Sequence, residues 1–236
     1  MRPVNAIAHF CGWMNMAADF PLLDVQGVTF SLEDRELLAP VSLTLNPGDF
    51  VLLTGPSGSG KSTLLKIMAS LLDPTAGHLL FRNQDISQLK AEEYRQQVSY
   101  CFQTPVLFGH TVYDNLALPW QIRQQTPTRS KLEADLVKVN LPADMLDKKI
   151  DQLSGGEKQR VGLLRNLQFL PDVLLLDEVT SALDEDNKTL INHLIKGIVQ
   201  DNGVAVVWIS HDPAEIHQAQ RVLQLETPER KNHEPA

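Results

Sequence analysis

Two kinds of hydrophobic patterning run along the chain. Residues 22–32 (LLDVQGVTFSL) and 41–48 (VSLTLNPG) alternate apolar and polar positions, as half-buried strands do. Residues 50–55 (FVLLTG), 172–178 (DVLLLDE) and 204–211 (VAVVWISH) are instead short continuous apolar runs, the pattern of strands buried on both faces. Between them lie stretches with helical spacing: 62–72, stopped by Asp73-Pro74, then 91–97, 157–169, 181–200 and 213–220. Residues 78–86 read as a strand pair or edge, 98–103 as a strand and 221–226 as a last strand. Strands alternating with helices predict an α/β fold with a parallel sheet.

Residues 112–150 break this rhythm. Gln-rich pieces and Pro119, Pro127 and Pro142 separate short amphipathic segments such as KLEADLVKVN (131–140). This predicts a helical insertion rather than more sheet. No internal repeat or low-complexity segment is evident.

Composition narrows the function. The 236 residues are 43% hydrophobic, enough for a full core in one large domain or one domain with a subdomain. A net charge of −8 gives no overall positive field for nonspecific nucleic-acid binding. Cys11 and Cys101 are far apart and form no CxxC pair, so reduced thiols are expected rather than a disulfide framework or zinc site. No apolar run approaches the roughly 18 residues of a membrane span. Residues 1–21 are expected to be a loose extension: Asn5, His9 and Asn15 interrupt the apolar stretch a secretory signal needs, and Met14 or Met16 could be the true start. Residues 227–236 are expected to be a flexible tail.

The chemistry concentrates where buried strands end. GPSGSGKS (55–62) fits G-x-x-x-x-G-K-[ST] and joins a buried strand to a helix, the context in which that motif binds phosphate. Gly55, Pro56, Ser57, Gly58, Ser59, Gly60 and Thr63 complete the loop. The glycines let backbone N–H groups turn toward a phosphate, and the helix start adds its positive end. Lys61 can neutralise β- and γ-phosphates, and the Ser62 hydroxyl can hold Mg²⁺. Asp177 ends another buried strand, at the edge where open α/β sheets bind ligands, and can hold Mg²⁺ through water. Glu178 beside it can polarise an attacking water. Two acids after an apolar strand also suit a helix N-cap region, and His211 alone is compatible with an ordinary strand-end histidine. His78, His110, His193 and His217 read as surface or packing residues. A second glycine-bearing run, LSGGEKQR (153–160), precedes another helix.

GPSGSGKST, Gln103, LSGGE, VLLLDE, SALD and His211 occur in the order of an ABC transporter ATP-binding subunit, and the resemblance covers roughly residues 22–226. It implies a P-loop NTPase fold: a RecA-like core, an N-terminal antiparallel β part and a helical subdomain at about 106–160. It implies ATP and Mg²⁺ as ligands. It implies a head-to-tail homodimer in which Ser154, Gly155 and Gly156 of one subunit meet the γ-phosphate held by the other. By the same resemblance Gln103 would sense Mg²⁺ and the attacking water, Glu178 would be the catalytic base, and His211 would hold the γ-phosphate and water geometry. Asp184 would belong to a loop touching the opposite subunit. A groove after the Gln103 strand, to which Phe108, Val112, Tyr113, Leu116 and Trp120 are assigned with about half of them expected in the core, would receive a separate integral membrane permease. The subunit would then lie peripherally on the cytoplasmic face of the inner (plasma) membrane.

Two positions depart from the family pattern. Glu157 stands where many members have Gln, which adds negative charge near a phosphate. The adenine-stacking aromatic is replaced by Leu32, with Phe30 the nearest ring. Residues 95–116, LSGGEKQR and 165–188 resemble the ATP-binding subunits of bacterial iron-export ABC transporters, linked to peroxide tolerance; iron as cargo follows from that resemblance alone. A soluble ABC ATPase of DNA repair or translation would tend to carry long coiled coils or two cassettes, and a P-loop kinase would not need LSGGE.

Overall fold

A computed structural model describes residues 20–33, 35–212, 215–216 and 219–228. The expectations for residues 1–19, Cys11, His217, half of the 213–220 helix and residues 229–236 fall outside the described residues.

Two sheets carry the fold. The first is antiparallel, in the order β2-β1-β4-β5, from β1 (Leu23–Leu32), β2 (Arg35–Leu45), β4 (Ala76–Phe81) and β5 (Gln84–Asp85). The second is parallel, in the order β6-β7-β8-β3-β9, from β3 (Phe50–Thr54), β6 (Val98–Cys101), β7 (Val173–Asp177), β8 (Ala205–Ile209) and β9 (Arg221–Gln224). β7 and β8 are buried at every position, as their unbroken apolar runs require. The register Asp177↔Ile209 aligns the carboxyl ends of β7 and β8, and Leu53↔Ile209 brings the end of β3 level with them. The phosphate loop, the two acids and the residues after β8 therefore emerge along one sheet edge.

Helices cover the parallel sheet: α1 (Lys61–Met68), α2 (Ala91–Gln97), α3 (Val112–Ile122), α4 (Arg129–Lys138), α5 (Gly155–Asn166) and α6 (Glu185–Asn202). One face of the sheet packs on α1 and the antiparallel sheet through Leu53, Leu64, Met68, Leu175 and Val207. The other face packs on the helices of the insertion and on α6 through Leu52, Leu116, Leu136, Leu174 and Ile195. Each such fully buried side chain contributes about 1.5–3 kcal/mol by leaving water, so both layers are fixed by ordinary apolar burial.

Several boundaries differ from the sequence pattern. The 62–72 helix ends at Met68, because Ser70 takes φ 54° and Tyr94 and Arg95 donate to the Met68 and Ser70 carbonyls. Pro119 does not separate two helices but lies inside α3, whose start is fixed by a Thr111–Asp114 capping box. The helix read from 157 begins at Gly155, with the two glycines as its first turn. β2 begins at Arg35 rather than 41 and pairs along the length of β1.

Candidate functional site

The phosphate loop leaves β3 at Gly55 and enters α1 at Lys61. Two of its glycines are required by geometry. Gly55 has φ 144°, and a Cβ there would meet the Leu225 carbonyl oxygen at 2.5 Å. Gly60 has φ 88°, and a Cβ would meet the Leu37 carbonyl oxygen at 2.6 Å. Pro56, Ser57 and Gly58 are exposed at the tip of the loop. Ser59 is buried beneath the loop, and Ser62 and Thr63 lie in the first turn of α1. The N-cap Gly60 provides no side-chain cap, which leaves the first N–H groups of α1 available to an anion. Lys61 is buried, and its Nζ donates to the carbonyls of Gly55 (2.8 Å) and Pro56 (3.0 Å). The ammonium thus already points into the loop that a phosphate would fill.

Beside the loop stands Asp177, the buried last residue of β7. Ser62 Oγ donates to its Oδ1 at 3.1 Å, and the Tyr100 hydroxyl donates to its Oδ2 at 2.6 Å. A hydroxyl and a carboxylate at this separation are hard oxygen donors of the kind Mg²⁺ takes, so the residues present fit that ion. Tyr100 was not singled out by the sequence; it reads as one apolar position in a strand. Burial first, and then Asp177, push its phenol pKa far above the ordinary value.

Glu178 follows with φ 49°, a left-handed conformation that costs a non-glycine residue on the order of 1 kcal/mol. Its N–H donates to the Ile209 carbonyl at 3.1 Å, which holds the turn in place. Gln103 Nε2 donates to Glu178 Oε2 at 2.8 Å, and His211 Nε2 lies 3.4 Å from Glu178 Oε1. Gln103, Glu178 and His211 come from three neighbouring strand ends and converge on one carboxylate. Ser62, Asp177, Gln103, Glu178 and His211 therefore form one continuous site with the phosphate loop.

The signature run forms a separate surface. Ser154 caps α5: its Oγ accepts the Glu157 N–H at 3.2 Å, and Glu157 accepts the Ser154 N–H at 2.7 Å. Lys148 Nζ donates to the same carboxylate at 3.0 Å. The Ser154 N–H, and after it Lys148, hold the Glu157 carboxyl below the usual carboxylate range. The added negative charge is thus turned back onto its own helix and paired. Ser154 and Gly155 are exposed, and a Cβ at Gly155 would meet nothing within 4 Å. Among the described residues no hydrogen bond or ion pair joins 55–63 to 153–157.

A polar relay ties this surface to the chain around Asp184. Arg160 donates to the Asn140 carbonyl (3.0 Å) and to Asn187 Oδ1 (2.6 Å), and Asn187 Nδ2 donates to both oxygens of Asp184 at 2.9 Å. Asp184 also caps α6. At the far end of α5, Arg165 donates to the Val106 carbonyl at 2.8 Å and lies over the Phe108 ring at 4.9 Å. Phe102, Val106 and Phe108 are exposed around it. Of the residues assigned to a groove, Val112 and Leu116 are fully buried and belong to the core, while Phe108 is exposed and Tyr113 and Trp120 are half-buried. Of the two residues considered for a base, Leu32 is 61% exposed, whereas Phe30 packs against the core. His78, His110 and His193 are all exposed, and Cys101 is buried with its thiol pushed up to about 12 by desolvation. Among the described residues no helix is long and apolar enough to cross a membrane.

Comparison with known proteins gives consistent matches. The family model described as ABC transporter matches residues 38–181. The chain is 54% identical over 211 residues to the probable iron export ATP-binding protein FetA of Escherichia coli (strain K12), covering 89% of this chain and 94% of FetA. A dimeric, post-hydrolysis structure of the ATP-binding cassette MJ0796 bound to ADP and Pi superposes with a TM-score of 0.77 at 29% identity, over 88% of this chain and 97% of that one. A bacterial Atm1-family ABC exporter with ATP bound gives a TM-score of 0.79 at 29% identity, over 90% of this chain and 39% of that one.

Proposed function

The chain belongs to the ABC transporter family as an ATP-hydrolysing subunit, and from that premise we propose that it energises iron export through a separate membrane permease. The iron assignment is carried by one observation, the 54% identity to FetA across nearly the full length of both chains.

The proposed chemistry follows from the site. Loop N–H groups and Lys61 receive the β- and γ-phosphates, and Lys61 exchanges its two carbonyl partners for phosphate oxygens. Ser62, Asp177 and Gln103 hold Mg²⁺, which neutralises charge on the β- and γ-phosphates when bound. Glu178 takes a proton from water as its oxygen attacks the γ-phosphorus, and the bridging oxygen departs with ADP. Gln103 and His211 aim the Glu178 carboxylate. Exposed Leu32, rather than Phe30, offers adenine an apolar surface.

In this reading the exposed Ser154 and Gly155, with the half-buried Gly156 beside them, meet the γ-phosphate of a second, head-to-tail copy, so each ATP joins two subunits and hydrolysis weakens the joint. Helix α5 carries that surface at its start and, through Arg165, grips the Phe108 loop at its end. Closure at the nucleotide thereby moves the exposed surface around Phe108, where the permease docks. The subunit sits peripherally on the cytoplasmic face of the inner (plasma) membrane.

Iron-loaded cells carrying the wild-type protein or Glu178→Gln test the proposal, with total iron measured and other transition metals as controls. Higher iron in the Glu178→Gln cells alone is expected. Equal iron in both would remove iron as the cargo and leave the ATPase assignment standing.

A further inference from the structure

Asp177 is held by two hydroxyls, one on each carboxylate oxygen, and the two are not equivalent. Ser62 donates to Oδ1 at 3.1 Å from the first turn of α1. It is partly buried and faces the phosphate loop. A serine hydroxyl has one proton, and when its oxygen turns to a divalent cation that proton no longer has to serve Asp177. Tyr100 donates to Oδ2 at 2.6 Å from β6, the strand paired with β7. Its ring is buried and packs edge-on against Phe102, with centroids 4.6 Å apart. That packing, rather than the phosphate loop, sets where the phenol lies, so its bond to Asp177 does not depend on the direction of the Ser62 hydroxyl.

We propose that Tyr100 is a positioning residue for the cation site, anchoring Asp177 by Oδ2 so that Oδ1 stays aimed at Ser62 and the cation throughout the cycle. This rests on the reading that Ser62 and Asp177 hold Mg²⁺. Asp177 is only 3% exposed, so water cannot easily replace a lost donor. Without the phenol, the carboxylate is free to rotate about its terminal torsion, which is broad for aspartate, and the cation meets an unfixed ligand.

Tyr100→Phe keeps the ring and removes the donor. The probe is Mn²⁺, whose free EPR signal reports its affinity for the full chain carrying a non-hydrolysable ATP analogue, with Ser62→Ala run in parallel. Tyr100→Phe is expected to weaken Mn²⁺ binding about tenfold, at the lower end for a hydrogen bond to a charged group. Analogue binding without a divalent cation should stay within about twofold of wild type. In steady-state hydrolysis, half-saturating Mg²⁺ should rise by a similar factor, with a smaller change in kcat at saturation. Wild-type Mn²⁺ affinity in Tyr100→Phe, alongside a loss in Ser62→Ala, would overturn the role of Tyr100 and leave the cation site standing. Wild-type affinity in both variants would remove the cation site and the proposal together. Loss of cation-free analogue binding in Tyr100→Phe would make the residue a structural support and likewise overturn the proposal.

Discussion

Ser154 and Glu157 cap each other. The Glu157 carboxylate accepts the Ser154 N–H at 2.7 Å, and the Ser154 hydroxyl accepts the Glu157 N–H at 3.2 Å. The residue that departs from the common family glutamine is therefore a structural part of the helix start, and Lys148 balances its charge. Ser154→Ala should cost about 1 kcal/mol of stability in urea unfolding. No loss would mean that the cap contributes nothing to the fold.

The same pair sets a pH dependence. Its hydrogen bonds hold the folded-state Glu157 carboxyl below its ordinary value. A depressed carboxyl contributes stability at neutral pH, and loses it as pH falls through the ordinary carboxylate range and then the folded value. Glutamine at 157 keeps the capping acceptor but not the charge. The wild type should exceed Glu157→Gln by roughly 0.5 kcal/mol at pH 7, and the gap should close on acidification. A gap that widened below pH 4 would contradict the assignment.

Lys61 is buried, and among the described residues two loop carbonyls accept from its ammonium. Lys61→Ala should lower ATP affinity at least about tenfold, the scale of a charged hydrogen bond, as read by titration with a fluorescent ATP analogue. Unchanged affinity would count against the loop as the phosphate site.

Glu178→Gln retains a side chain of the same size beside Gln103 and His211 but cannot take a proton. Hydrolysis should fall by about 10²–10⁴-fold, the usual contribution of a general base, while ATP binding persists. Full turnover would remove Glu178 from the chemistry.

Much of this site is legible in the sequence because its parts are local. GPSGSGKS needs only a strand before it and a helix after it, and both are written in the apolar pattern. The continuous runs that became β3, β7 and β8 identify themselves by lacking any alternation. What the pattern could not give are pairings across the chain. Tyr100 meets Asp177 only because β6 and β7 are neighbours, a fact set by topology. The Arg160–Asn187–Asp184 relay likewise spans 27 residues between Arg160 and Asn187. The Ser154–Glu157 box is legible as S-x-x-E before a helix, the signature of a capping box, although the same residues also read as a phosphate surface. Pro119 differs in the opposite direction: proline predicts a break, but it lies inside α3.

In the proposed dimer, ATP bound at one subunit's phosphate loop is closed over by the other subunit's signature surface. The most direct test is the ATP-dependent oligomeric state of Glu178→Gln, by light scattering, with and without Ser154→Arg. Glu178→Gln should form a dimer when ATP is added, and the double variant should bind ATP but remain a monomer. A double variant that dimerises with ATP as readily as Glu178→Gln would contradict the account.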